Sequence, residues 1–213
     1  MAGPTDAVVA IHNAFRHDIA LIDAAALGSA RGTPGLDTTV ERFRFLGEVL
    51  EWHARGEDAA IFPLLESVAP SVYDTYEHDH RALDAAFAAL DRAVSAHDAL
   101  ETARATNACK FHLRLHLDKE DAHMYRIIAE RVSPAEQAQA MGLMASHAPP
   151  DRFPEIVAWM FPLIGLDDRV RMTRAWQTSM PPEAFAFATD LIEQVLGDDW
   201  PELARNVPAL VAP

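Results

Sequence analysis

Along the first 130 or so positions apolar residues recur at steps of three and four, the period of an amphipathic helix. Four stripes succeed one another. The first is Val8, Phe15, Ile19, Ile22 and Ala26; the second is Phe43, Leu46, Leu50, Ile61 and Leu64. The third is Val72, Tyr76, Leu83, Phe87, Leu90 and Val94, and the fourth is Cys109, Leu113, Met124 and Ile127. A Gly- and Pro-bearing stretch from Gly28 to Asp37 separates the first two, with Thr38 or Thr39 opening the second helix, which runs past Glu57 toward Pro63. Pro70 introduces the third, over about Ser71 to Ser95, and the fourth runs from about Ala99 to Val132. The pattern predicts an all-α fold, an up-down-up-down four-helix bundle over residues 5–131.

The remainder, residues 133–213, reads as an additional C-terminal helical segment. Ser133-Pro134-Ala135-Glu136 is a capping box with Pro at the first helical position. Helices are predicted over about Pro134 to Ser146, Pro154 to Ile164, Asp167 to Ser179 and Pro182 to Leu196, with a short one after Trp200. The pairs Pro149-Pro150 and Pro181-Pro182 separate them.

Polar residues interrupt the bundle stripes at matched places. His53-x-x-x-Glu57 recurs 63 residues later as His116-x-x-x-Glu120, each followed by Asp-Ala and by an aromatic five residues past the Glu, Phe62 and Tyr125. His12, Phe15, Ile19 and Ile22 match His80, Leu83, Phe87 and Leu90 in the same way, so the chain carries a duplicated helical hairpin. Both glutamates fall on the apolar face, whereas Arg114, Asp118 and Asp121 fall opposite. An isolated carboxylate there costs several kcal/mol, roughly, unless it is paired or binds a metal. Gly47 and Gly56 weaken the second helix by about 1 kcal/mol each relative to Ala, so packing or ligation must hold that turn.

Four imidazoles and two carboxylates converging in a bundle make a site for two metal ions, with the carboxylates bridging, two histidines on each ion and a solvent-derived bridge between them. The expected ligands are His12, His53, Glu57, His80, His116 and Glu120. Mixed nitrogen and oxygen donors without thiolate suit non-haem iron, and manganese or zinc less specifically. Such a scheme leaves open positions for a small molecule. His112 and His123 lie at the edge of the same face as weaker members of the set, Tyr73 and Tyr76 stand a turn or two from His80, and Cys109 is expected to pack as a small hydrophobe.

On these residues the chain resembles the hemerythrin-like, or HHE cation-binding, family over about residues 5–131. The order His12, His53-x-x-x-Glu57, His80, His116-x-x-x-Glu120 matches the family's ligand pattern, and Phe62-Pro63 resembles its second helix. The resemblance implies a hemerythrin-like bundle holding two non-haem iron ions with an oxo or hydroxo bridge. It also implies binding of dioxygen, nitric oxide or peroxide for sensing, storage or scavenging, as linked with some microbial and mycobacterial-type members. The third helix lacks the His-x-x-x-His pair of the invertebrate oxygen carriers, which turns the reading away from simple oxygen transport. The alternatives are a catalase-like di-iron enzyme that decomposes hydrogen peroxide, and a structural helical module with zinc or no metal.

Composition narrows the partners. The chain has 213 residues, half of them hydrophobic, with a formal charge of −14 and a pI near 5.0. No basic run is available for nucleic acid or an anionic membrane surface, and the partner that the resemblance implies is a small diatomic molecule or peroxide. Cys109 is the only cysteine and can form no internal disulfide, which fits a reducing compartment. The N-terminus lacks a basic region followed by an apolar segment, and Val157 to Leu166 is too short to span a bilayer, so a cytoplasmic protein is expected.

Overall fold

The structure is a computed structural model that describes residues 4–211, the side chains of Asp6, Asp74, Glu77, Asp79 and His80 being outside the description. Among the described residues the chain is helical throughout, without strands. The bundle is built from α1 (Val8–Ala30), α2 (Leu36–Gly56) continued by α3 (Phe62–Val68), α4 (Pro70–Ser95), and α5 (Ala99–Lys119) continued by α6 (Tyr125–Arg131). α1 lies against α2 and α5, and α4 against α3 and α5, the neighbour relations of an up-down-up-down bundle.

The second and fourth bundle helices each contain a wide turn. Glu57–Ile61 and Glu120–Met124 are π-helical, and the amides of Phe62 and Tyr125 donate five residues back, to the carbonyls of Glu57 and Glu120. A π-turn inside an α-helix adds one residue without breaking the hydrogen-bond ladder. Both insertions begin on the glutamate of the repeated motif. The first lies immediately before α3 and accommodates Pro63, which the sequence pattern places at the end of the helix, within the first turn of α3. At the second, the Tyr76 hydroxyl donates to the Lys119 carbonyl at 2.6 Å, supporting the backbone next to Glu120.

The first connection is shorter than the Gly and Pro content suggests. α1 continues to Ala30, and α2 starts at Leu36 rather than at Thr38 or Thr39, because Gly35, with φ 127°, turns the chain directly into the helix. The Thr39 hydroxyl then donates back to the Gly35 carbonyl at 3.0 Å.

Two apolar layers fill the bundle, one above and one below its polar middle. One contains Phe15, Ile19, Leu46, Leu90, Cys109 and Leu113; the other contains Val8, Ile61, Leu65, Met124 and Ile128. The second layer is closed by α7 (Pro134–Ala145), which begins with the expected capping box between Ser133 and Glu136. A Cβ on Gly56 would lie 2.7 Å from Met144 Cγ and 2.9 Å from the Met144 carbonyl oxygen. The glycine is there because the end of α7 touches the α2 backbone.

The rest of the C-terminal segment comprises α8 (Phe153–Leu163), α9 (Leu166–Ser179), α10 (Pro182–Leu196) and α11 (Trp200–Asn206). Their apolar faces, with Val157, Phe161, Ile192 and Leu203 at the centre, form a third core against Ala7, Ala10 and Ala14. Asp18 of α1 is fully buried at this junction, where it accepts from Arg42 of α2 and from Trp159 Nε1 of α8, the latter at 2.7 Å. Among the described residues no helix is long and apolar enough to cross a membrane.

Gly56→Ala is expected to lower stability by about 1–3 kcal/mol through overpacking against Met144, despite the better helix propensity of Ala. Gly47 has open space at its Cβ position, so Gly47→Ala is expected to raise stability by up to about 1 kcal/mol. Urea unfolding of the two variants beside the parent checks both signs.

Candidate metal centre

The polar middle of the bundle is assembled from α1, α2 and α5 with the two π-turns. His12 is fully buried, His53 is 7% exposed, Glu57 1%, His116 5% and Glu120 0%. One donor atom from each of His12, His53, Glu57 and Glu120 lies within 4.8 Å of the other three. His12 Nε2 is 3.0 Å from His53 Nε2 and 3.7 Å from Glu120 Oε2, while His53 Nε2 is 3.4 Å from Glu57 Oε1. His116 joins from the side, with Nε2 at 3.0 Å from Glu120 Oε1. His80, on α4, has its side chain outside the described residues.

The outer contacts orient this set. His12 Nδ1 is 2.7 Å from Asp121 Oδ1, so Nδ1 carries the proton and Nε2 presents its lone pair to the other donors. Arg16 holds the second oxygen of Asp121 at 2.6 Å. Burial opposes ionisation of Asp121, but the hydrogen bond from His12, followed by the hydrogen bond and charge of Arg16, holds its carboxyl below the ordinary range. The Tyr125 hydroxyl donates to Glu57 Oε1 at 2.5 Å. Burial, and then the charges of Glu57 and Glu120, push that phenol well above its usual range, so it remains a donor.

Asp121 and Tyr125 take part in the site although they are not among the ligands expected from the sequence. Asp121 follows Glu120 by about 100° on the helix, at the side facing α1, where it meets His12 and Arg16. The aromatic at equal distance from each glutamate is the available signal for Tyr125. His112 and His123, placed at the edge of the buried face by their spacing, are both exposed and stand apart from the cluster. The Phe111 ring meets His112 edge-on at the surface. Tyr73 packs edge-on against Phe62, and Tyr76 is committed to the Lys119 carbonyl.

The donor set suits a cation. Three described imidazoles and two carboxylates, all nearly or wholly removed from water, supply lone pairs and negative charge in one small volume. Two imidazole nitrogens at 3.0 Å with carboxylates beside them are satisfied together by a bound metal ion. A cavity of about 620 Å³ reaches this group between α2 and α4, touching His53, Glu57 and His116, with Leu50, Leu83 and Phe87 on its walls.

A helical bundle around buried nitrogen and oxygen donors defines a cation-binding protein of the non-thiolate class. The chain matches the family described as hemerythrin HHE cation binding domain over residues 3–128 and belongs to that family. It is also similar to the zinc finger protein BRUTUS of Arabidopsis thaliana, 26% identical over 162 residues, which is 73% of this chain and 12% of that protein. Two BRUTUS-like zinc finger proteins of the same plant are 24% identical over 187 residues and 22% identical over 199. These alignments take in 82% and 87% of this chain and 15% of each relative. The chain thus spans 12 to 15% of the length of these curated relatives. No solved structure matches it.

Cys109 is fully buried, two turns before His116, and burial pushes its thiol up to about 12. Only the thiolate alkylates. At pH 8 the native protein is therefore expected to resist iodoacetamide at Cys109 and to be labelled once unfolded in urea, as intact mass would show.

Proposed function

We propose that the chain is a hemerythrin-like non-haem di-iron protein that binds dioxygen, nitric oxide or peroxide, with His12, His53, Glu57, His80, His116 and Glu120 as ligands. The observation that carries the reading is the convergence of His12, His53, Glu57 and Glu120 inside the bundle, four buried donors from both halves of a duplicated hairpin. The set contains nitrogen and oxygen donors but no sulfur, which favours non-haem iron over the thiolate-rich sites of structural zinc. Bound iron would supply an electron-rich centre with open positions for a small ligand. His12, held by Asp121, and Glu57, held by Tyr125, keep their donor atoms oriented inward. Apolar layers flank the donors, and the cavity beside His53, Glu57 and His116 gives small molecules a route in.

Residues 5–131 carry this centre, and residues 133–213 act as its helical buttress, bearing on it through the contact of Met144 with Gly56. A catalase-like activity toward hydrogen peroxide is the second reading, favoured by the same open cavity, which is far larger than a diatomic ligand needs. The negative charge of the whole chain and the size of the molecules concerned leave no role for nucleic acid or a membrane surface.

Metal analysis of protein loaded anaerobically with iron tests the proposal. The parent is expected to hold about two irons per chain, and a His53→Ala/His116→Ala variant markedly fewer. Absence of stoichiometric metal in the parent would leave a structural helical module. Oxygen evolution from peroxide that exceeds that of free iron, and is lost in Glu57→Ala and Glu120→Ala, would select the enzyme reading. Asp121→Asn is expected to weaken metal binding about 10- to 100-fold by loosening His12, measured by competition with a chelator.

A further inference from the structure

His12 is joined to the C-terminal segment by an unbroken series of side-chain hydrogen bonds. Its Nδ1 donates to Asp121 Oδ1 at 2.7 Å, and the other oxygen of Asp121 accepts from Arg16 at 2.6 Å. A second nitrogen of the same guanidinium donates to Asn13 Oδ1 at 3.1 Å. Asn13 Nδ2 then donates to Asp168 Oδ2 at 2.7 Å. Asp168 stands in the first turn of α9, outside the bundle, and its remaining oxygen accepts from Arg171 at 3.2 Å.

Each link in the series has only one workable sense. Asn13 offers its carbonyl to Arg16 and its amino group to Asp168, and a flipped amide would set donor against donor and oxygen against carboxylate. The guanidinium of Arg16 is also held on a third side, where Nε donates to Asp118 at 3.1 Å. The side chains of Asp168, Arg16 and Asp121 are at most 20% exposed, so these charge-assisted bonds are largely shielded from water. α9 itself is seated firmly, since Met172 shares an apolar core with Ala10 and Ala14 of α1. An imidazole restrained in its binding orientation loses less freedom when a cation arrives, so contacts that restrain it raise affinity.

We propose that Asp168 is a positioning residue of the metal centre, acting on His12 through Asn13, Arg16 and Asp121, so that the seating of α9 on α1 sets how tightly the centre holds a cation. The inference rests on the metal-binding reading of the site and is the same for one cation or two. It gives the C-terminal segment a polar hold on the centre, on the opposite side of the chemistry from the apolar contact of Met144 with Gly56.

The test is a titration of the metal-free full-length chain with cobalt(II), monitored by visible absorption and by competition with a chelator. Asp168→Ala is expected to weaken binding by about 2- to 30-fold and to shift the absorption bands. Asp168→Asn keeps an acceptor for Asn13 and is expected to recover most of the loss. Asp199→Ala, which removes the partner of Arg169 in the same segment without touching the series, is expected to bind as the parent does. In a chain already carrying Asp121→Ala the series is cut next to His12, so adding Asp168→Ala is expected to cost nothing further. Parental affinity and bands in Asp168→Ala would overturn the proposal while leaving the metal-binding reading intact. So would a loss that adds in full to that of Asp121→Ala, or one that Asp199→Ala reproduces, since either describes general loosening. No tight cobalt in the parent would overturn both. Should Asp168→Ala fail to fold, Asn13→Ala cuts the series from the α1 side, and the same affinity, bands and combination with Asp121→Ala decide.

Discussion

Glu57 and Glu120 hold carboxylates in the interior of a helical bundle, at 1% and 0% exposure, and most of what surrounds them answers that constraint. A buried carboxylate is tolerated only with close compensation, and removing part of the compensation costs several kcal/mol, on the order of 3–5. Among the described residues it comes from three bundle helices at once. His53 and His116 stand one turn before each glutamate, His12 arrives from α1, and Tyr125 donates across the bundle. The wide turns beginning at both glutamates belong to the same solution, since they change which residues reach inward just where the polar layer lies. Apolar layers then flank the polar middle on either side.

The helical architecture was legible because the apolar period is sustained for many turns and Pro and Gly fall at the breaks. Pro134, Pro182 and Trp200 mark the starts of α7, α10 and α11 within the residues expected for them. The inward placement of His12, His53, Glu57, His116 and Glu120 was legible for a different reason, the duplication: one His-x-x-x-Glu motif is common on solvated helices, and two in phase are not. The π-turns were not legible. An insertion of one residue leaves the stripe nearly intact while rotating the helix that follows, and this is why spacing alone puts His123 too near the buried face. Long-range contacts were equally hidden. Nothing local marks Met144 as the neighbour of Gly56, or Trp159 as the donor that lets Asp18 be buried.

Those contacts also define what the C-terminal segment does for the bundle. α7 closes one apolar layer and meets the backbone one residue before Glu57, so a displacement of α7 would be felt first at the carboxylate. Asp18 binds α1, α2 and α8 together through both of its oxygens. The polar layer is thereby braced by helices that lie outside the bundle.

α1 has an unusual position in this arrangement, since it is lined on one side by the bundle core and on the other by Val157, Phe161 and their neighbours, and none of residues 8 to 16 is exposed. A helix common to two cores cannot leave one without opening the other. The bundle and the segment behind it are therefore expected to unfold together, so that free energy gained in one, whether from packing or from a cation, counts toward the persistence of both.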